Sequence, residues 1–381
     1  MFGSRYLDYN AGAPARPEVV AVMAEALAEP GNPSSVHAAG RMARRRVEDA
    51  RAAVAALVGA RAENVIFTSG GTEANALALA GWGGRSLLIS AIEHVSVGAQ
   101  AGADIDPIPV DGDGLVDLGA LEDRLRRADA PALVSVMLAN NETGVVQPVA
   151  EVARLAHRHG ARLHCDAAQG AGRLPVSMAE LGIDLLTLSA HKMGGPSGVG
   201  ALVLADFEPA PAPLLKGGGQ ERGRRAGTEN ISGIAGFGVA ASLAKKDADD
   251  QITILRMRDM RDRLEEDALR RVPAAVVIGK GAPRLPNTSC LALPGVASQT
   301  QVMALDLAGV MVGAGAACSS GKMAASHVLA AMGLTPALAG SAIRVSLGWG
   351  STGTDVEKFI EAWAELARRK GMDVHGAASA A

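Results

Sequence analysis

Between residues 65 and 204 the chain alternates short apolar runs with longer stretches of helical period. The runs at 65–68, 86–90, 107–110, 132–138, 162–165, 184–188 and 199–204 are of strand length, and most end in glycine, proline or small polar residues. Segments such as 74–80 and 118–127 read as helices between them. Strand followed by helix at this spacing predicts a mostly parallel, seven-stranded sheet between helices, with ligands gathered at the carboxyl ends of the strands.

Before this region, Pro17 opens a helix in the first turn, where a missing N–H costs nothing. A longer helix ending near Val58-Gly59 is predicted to start from a cap at Ser34 or Ser35. After it, residues 231–271 read as a long helical region leading to short strands at 275–278, 288–293 and 341–348. The pattern divides the chain into a large domain over 15–245 and a smaller α+β domain made of 1–14 and 246–381.

Composition supports burial of a large core: 48% of the 381 residues are hydrophobic and 20% charged. A formal net charge of −3 gives no general attraction to nucleic acid or to an anionic membrane. The basic run from Arg41 to Arg51 reads as the solvated face of a helix. No apolar run reaches the length of a membrane span, and the first five residues lack the apolar core of a signal peptide, so a cytoplasmic location is expected. Cys165, Cys290 and Cys318 are too few and too unevenly spaced for a disulfide framework. The histidines and cysteine within 157–166 invite a metal reading; it is set aside, because His157 and His159 fall at a helix end and strand alternation sends His164 and Cys165 to opposite faces.

The sharpest chemical signal is Lys192. It follows the Leu-rich run at 184–188 and precedes Met193-Gly194-Gly195-Pro196, which halts any regular element. Another predicted strand ends in Asp166. An amine and a carboxylate at the ends of two strands suit pyridoxal 5'-phosphate, whose aldehyde condenses with a lysine and whose ring nitrogen needs an acid to keep it protonated.

With these residues in hand, the chain resembles the fold-type I pyridoxal-phosphate enzymes of the class V aminotransferase family, and among them the cysteine desulfurases of the NifS/IscS kind. The similarity runs from Tyr6-Leu7-Asp8-Tyr9-Asn10 to about Leu347. It implies removal of sulfur from L-cysteine, giving L-alanine and a persulfide on Cys318 for transfer to an acceptor such as an iron–sulfur assembly protein. It further implies that Gly71, Thr72, His94, Asn141, Asp166, Gln169, Ser189, His191 and Lys192 surround the cofactor. Asn141 and Arg344 would bind the substrate carboxylate, and Lys192, Cys318 and His94 would carry the chemistry. Thr228 would reach the neighbouring site of a homodimer, joining its phosphate cup.

Each assignment has a plainer alternative. Gly70-Gly71-Thr72 is a common strand-to-helix turn as well as an anion cradle. His94 could simply cap the next helix, Asn141 could belong to a turn, and Arg344 could face water from an edge strand. Thr228 lies in a Gly/Arg-rich loop, and Cys318 in a Gly/Ala/Ser run that reads as mobile, with Lys322 and His94 as candidate bases for its thiol. Departures from the family's usual pattern include Asn10-Ala11-Gly12-Ala13, which lacks a pair of threonines, and Lys322-Met323-Ala324-Ala325 beside the cysteine. A selenocysteine lyase or another lyase of the family, and a non-catalytic cofactor-binding scaffold, are the rival readings.

Overall fold

The computed structural model describes residues 4–80, 86–100, 106–128, 131–205, 211–314, 318–319, 322–323 and 326–376, with backbone only for 318–319 and 322–323. Its main sheet has six strands among the described residues. Their spatial order is Val65–Thr68, Gly200–Leu204, Leu185–Ser189, Arg162–Asp166, Leu133–Ser135 and Leu87–Ile89. The last four are parallel to one another, and Gly200–Leu204 runs antiparallel to both of its neighbours.

The seventh strand predicted at 107–110 is reduced to one parallel bridge between Ser90 and Ile108. Ile108 donates its N–H to Ile89 O at 2.8 Å and accepts from Ala91 N at 2.9 Å; the ladder goes no further, because Val110 bridges Val116 instead and Asp117 N donates to Pro109 O at 2.9 Å. A local pairing with residues 116 and 117 therefore takes up the run that reads as a strand.

Helices cover the sheet. His37, and neither Ser34 nor Ser35, caps the helix Ala38–Leu57, its Nδ1 accepting from Gly40 N at 3.2 Å. The serines are spent earlier, in a turn where Asn32 Oδ1 accepts from Ser34 N at 2.9 Å. This helix packs closely on Ile231–Asp249: a Cβ added to Gly238 would lie 2.6 Å from Ala50 Cα. The predicted helical stretch beyond residue 231 is two helices, because extended Asp250 ends the first and caps Gln251–Arg271 by accepting from Ile252 N at 3.1 Å.

Two large apolar clusters result. One, between residues 19 and 244, encloses the sheet and includes fully buried Leu186 and Leu188; each such side chain contributes about 1.5–3 kcal/mol through its removal from water. The other joins Leu7 to residues between 257 and 367, around Phe359 and Trp363, whose rings stack 5.9 Å apart. Beside the second lies an antiparallel three-stranded sheet of Ala342–Ser346, Thr288–Ala292 and Val276–Ile278. No helix among the described residues is long and apolar enough to cross a membrane.

Candidate active site

The parallel strands end on one edge of the sheet, so the turns after residues 68, 89, 135, 166 and 189 converge there. They border a cavity of about 450 Å³ lined by Gly71, Thr72, His94, Asn141, Asp166, Gln169, Ser189, His191, Lys192 and Arg344. Ten residues named from the sequence thus face one space. Thr228 is not among them, and the side chain of Cys318 lies outside the described residues.

Lys192 closes a single helical turn, Ala190–Lys192, after its strand. Gly194 in the left-handed region (φ 82°) turns the chain away, and Gly195 N returns to Ala190 O at 3.0 Å. The amine donates to Asn10 O at 2.6 Å and Ala11 O at 2.9 Å. Burial pushes its pKa down to about 8, helped by the cations of Arg344 and Arg173. A fraction of the amine is therefore neutral near pH 7, the form able to attack an aldehyde.

Asp166 ends the neighbouring strand, nearly buried. Its Oδ1 accepts from Ala168 N at 2.9 Å and its Oδ2 from Asn75 Nδ2 at 2.8 Å. Opposite the carboxylate, the helix Gly71–Ala80 begins, its first intrahelical bond running from Ala74 N to Gly70 O at 3.1 Å. The N–H groups of Gly71, Thr72 and Glu73 precede that bond, at the positive end of the helix, where an anion is favoured. Ser189 Oγ and His191 Nδ1 lie 2.9 Å apart beside them. Burial, then the charge of Lys192, lowers the His191 pKa to about 4 and keeps its ring neutral.

His94 caps a helix and faces the cavity at once. Its Nδ1 caps Val95–Gly98 by accepting from Ser96 N at 3.2 Å, and the ring lines the cavity. Asn141 follows the Asn140 turn; its carbonyl accepts from Arg344 Nη1 at 3.0 Å and from Asn10 Nδ2 at 3.1 Å. Arg344 does not face water. It is 6% exposed, ion-paired through Nη2 with Asp8 Oδ1 at 2.6 Å, and its Nε has no hydrogen-bond partner among the described residues. Gln169 is engaged by its neighbours, donating from Nε2 to Asn10 O at 3.0 Å and accepting from Arg173.

Thr228 is exposed and borders a separate cleft with Phe67, Ser69, Glu221 and Arg225. Cys318 sits in a short backbone pairing, Cys318 with Met323 and Ser319 with Lys322. Its thiol and the Lys322 amine lie outside the described residues. The flanks of that segment do reach the site: Gly313 and Ala314 line the cavity, and Ser326 Oγ donates to Glu142 Oε2 at 2.6 Å. Next to Ser326, His327 Nε2 donates to Glu93 O at 2.9 Å.

Sequence reasoning missed several contributors. Asn10 is the hub that receives Lys192 and Gln169 on its carbonyl and supports Asn141 O and Thr288 Oγ1 with its amide. Asp8 pairs with Arg344, and Asn75 with Asp166. Asn75 left a trace in the sequence, as the sole polar side chain between Ala74 and Ala80. The histidines of the excluded metal reading find other partners: His157 Nε2 meets Asp184 Oδ2 at 2.8 Å, and buried His164 bridges Ser135 Oγ and Thr187 Oγ1 at 2.9 and 3.1 Å. Cys165 and Cys290 are buried in the apolar clusters.

Comparison with known proteins agrees with this geometry. The family model "Aminotransferase class-V" matches residues 5–359. A cysteine desulfurase of Cereibacter sphaeroides is 46% identical over 370 residues, covering 93% of this chain and 94% of its own. Among solved structures, a NifS-like protein of Rickettsia africae superposes with a TM-score of 0.88 at 35% identity, over 96% of this chain and 99% of its own. Another, described as SspA in complex with cysteine, has a TM-score of 0.78 at 28% identity over 90% and 99%. By sequence and by fold, the chain belongs to the class-V aminotransferase family, among its cysteine desulfurases.

Proposed function

We propose that this protein binds pyridoxal 5'-phosphate in the 450 Å³ cavity and uses it to take sulfur from L-cysteine, leaving alanine and a persulfide on Cys318. The observation that carries the reading is the convergence of a buried, readily deprotonated lysine, a carboxylate and an arginine on one cavity. The donor set fits the cofactor. The Gly71 helix start and Ser189 suit its phosphate, Asp166 its ring nitrogen and Lys192 its aldehyde, while the unpartnered Arg344 Nε suits a substrate carboxylate. When bound, the coenzyme supplies an electron sink that makes the Cα proton of the substrate acidic.

The chain's own residues do the rest. Asp166 keeps the ring nitrogen protonated, Arg344 and Asn141 orient the amino acid, and the Lys192 amine removes the Cα proton. The Cys318 thiolate attacks the substrate sulfur: an S–S bond forms, the C–S bond breaks, and its electron pair stays with carbon, which is then protonated to give alanine. The relative solved with cysteine supports this substrate class.

The protein acts as a homodimer in the cytoplasm, with Thr228 completing the partner's phosphate site; its exposure and its place at a separate cleft support action in trans. Residues 15–245 form the cofactor-binding domain and 1–14 with 246–381 the smaller one, in keeping with the two apolar clusters. An acceptor protein receives the sulfur.

The test is mass spectrometry of the protein after L-cysteine, with alanine measured alongside. One added sulfur on Cys318 is expected, and Cys318→Ser should lose both sulfur and alanine. Undiminished alanine from that variant would favour a thiol-independent lyase, and no turnover by the parent would favour a scaffold.

A further inference from the structure

A chain of hydrogen bonds runs from Asp166 to His94 through two residues that carry no other assignment. Asn75, 1% exposed, donates from Nδ2 to Asp166 Oδ2 at 2.8 Å and to Ser96 Oγ at 2.9 Å. Ser96 Oγ in turn lies 2.7 Å from His94 Nδ1, and the backbone N–H of Ser96 also points at that nitrogen.

The protons along this chain can be assigned one by one. A carboxylate only accepts, so the amide must turn its NH2 toward Asp166 and cannot be flipped. The second Asn75 hydrogen goes to Ser96 Oγ, whose own hydrogen is then left for His94. A backbone N–H can only donate. His94 Nδ1 therefore receives two donors and carries no hydrogen, and the single proton of the neutral ring sits on Nε2.

We infer that Asn75 and Ser96 are positioning residues that hold His94 in its Nε2–H form, so that the ring offers the cavity a hydrogen-bond donor and leaves proton abstraction to Lys192. The Asp166 carboxylate thus acts twice. It holds one end of the site directly and, through Asn75, sets the polarity of the imidazole at the other. Besides Asp166, the charged groups facing the ring are Lys192 and His327. The tautomer stands on the protein alone; its mechanistic consequence rests on the function proposed above.

The experiment is a two-bond proton–nitrogen correlation spectrum of the full chain labelled with ¹⁵N-histidine, recorded near neutral pH without added coenzyme or substrate. His94→Gln identifies the His94 signal by its loss. The Nε2–H pattern is expected. Asn75→Asp should reverse the relay: the new carboxyl shares one proton with Asp166, and the oxygen that replaces Nδ2 can no longer donate to Ser96 but takes its hydroxyl hydrogen, so Oγ becomes an acceptor and the signal should move to the Nδ1–H or doubly protonated pattern. Ser96→Ala, a milder change, should shift the His94 titration upward and admit the Nδ1–H form. An Nδ1–H or doubly protonated His94 in the parent would overturn the inference, as would an unmoved signal in both variants. Absence of desulfurase activity would leave the spectrum unaltered, so the two failures are told apart.

Discussion

Arg344 Nη2 and Asp8 Oδ1 are 2.6 Å apart across the two ends of the chain, one on the strand Ala342–Ser346 and the other just after the strand Arg5–Tyr6. The pair is nearly buried, and Asn141 O holds the guanidinium at Nη1, which leaves the buried Nε without a partner among the described residues. A buried arginine held this way is aimed before any substrate arrives, so less ordering cost remains for binding.

Replacing Arg344 with Lys keeps the charge but loses the planar fork. A hydrogen bond to a charged group contributes about 1.5–3 kcal/mol, so kcat/KM for cysteine should fall roughly 10- to 100-fold. Most of the change should appear in KM. Asp8→Asn should have a smaller effect in the same direction, since an amide oxygen still accepts from Nη2. Steady-state alanine production checks both, and an unchanged KM in Arg344→Lys would remove Arg344 from the substrate site.

The depressed pKa of Lys192 makes a prediction about coenzyme loading. Only the neutral amine attacks an aldehyde, so covalent capture of pyridoxal phosphate by coenzyme-free protein should speed up with rising pH and level off above about 8. An ordinary lysine would keep accelerating to about 10.4. Stopped-flow absorbance over this range reads the inflection, and Lys192→Ala should abolish the bound chromophore.

Glu93 offers a test of stability. It is 3% exposed; Oε1 accepts from Met137 N at 2.6 Å, while Oε2 has no partner among the described residues. Burial raises its pKa well above the ordinary value of 4.5, and the nearby Asp166 adds to the shift. Its folded form thus holds a proton that the unfolded chain releases, so this residue costs stability progressively as pH rises above about 4.5. Glu93→Gln keeps the shape and removes the charge. It should equal or exceed the parent in denaturant midpoint, with a lead that widens from pH 4.5 toward neutrality; a lead that shrinks over that range would mean that Glu93 is held as a carboxylate.

Much of this was legible in the chain because single residues decide single features. Apolar runs located the sheet, and the glycines after Lys192 marked the turn that presents it. Ile108 was misleading, since its run looks like a strand but Val110 turns to pair with Val116 instead. His37 escaped notice because histidine is an unusual helix cap. Asn75 and Asn10 could be seen but not interpreted: their partners, Asp166 and Lys192, are 91 and 182 residues away, and only packing brings them together. Thr228 and Cys318 drew their roles from family resemblance alone: Thr228 borders a different cleft, and the Cys318 side chain lies outside the described residues.

Pro107 and Pro109 also bear on how the protein behaves in a crowded solution. Among the described residues the strand Leu87–Ile89 is the outermost of its sheet, and beyond it Ile108 bridges to Ser90 at its end. Two residues without an N–H stand where another molecule would otherwise find a template for its own backbone. The same two prolines thereby blunt that rim against edge-to-edge aggregation.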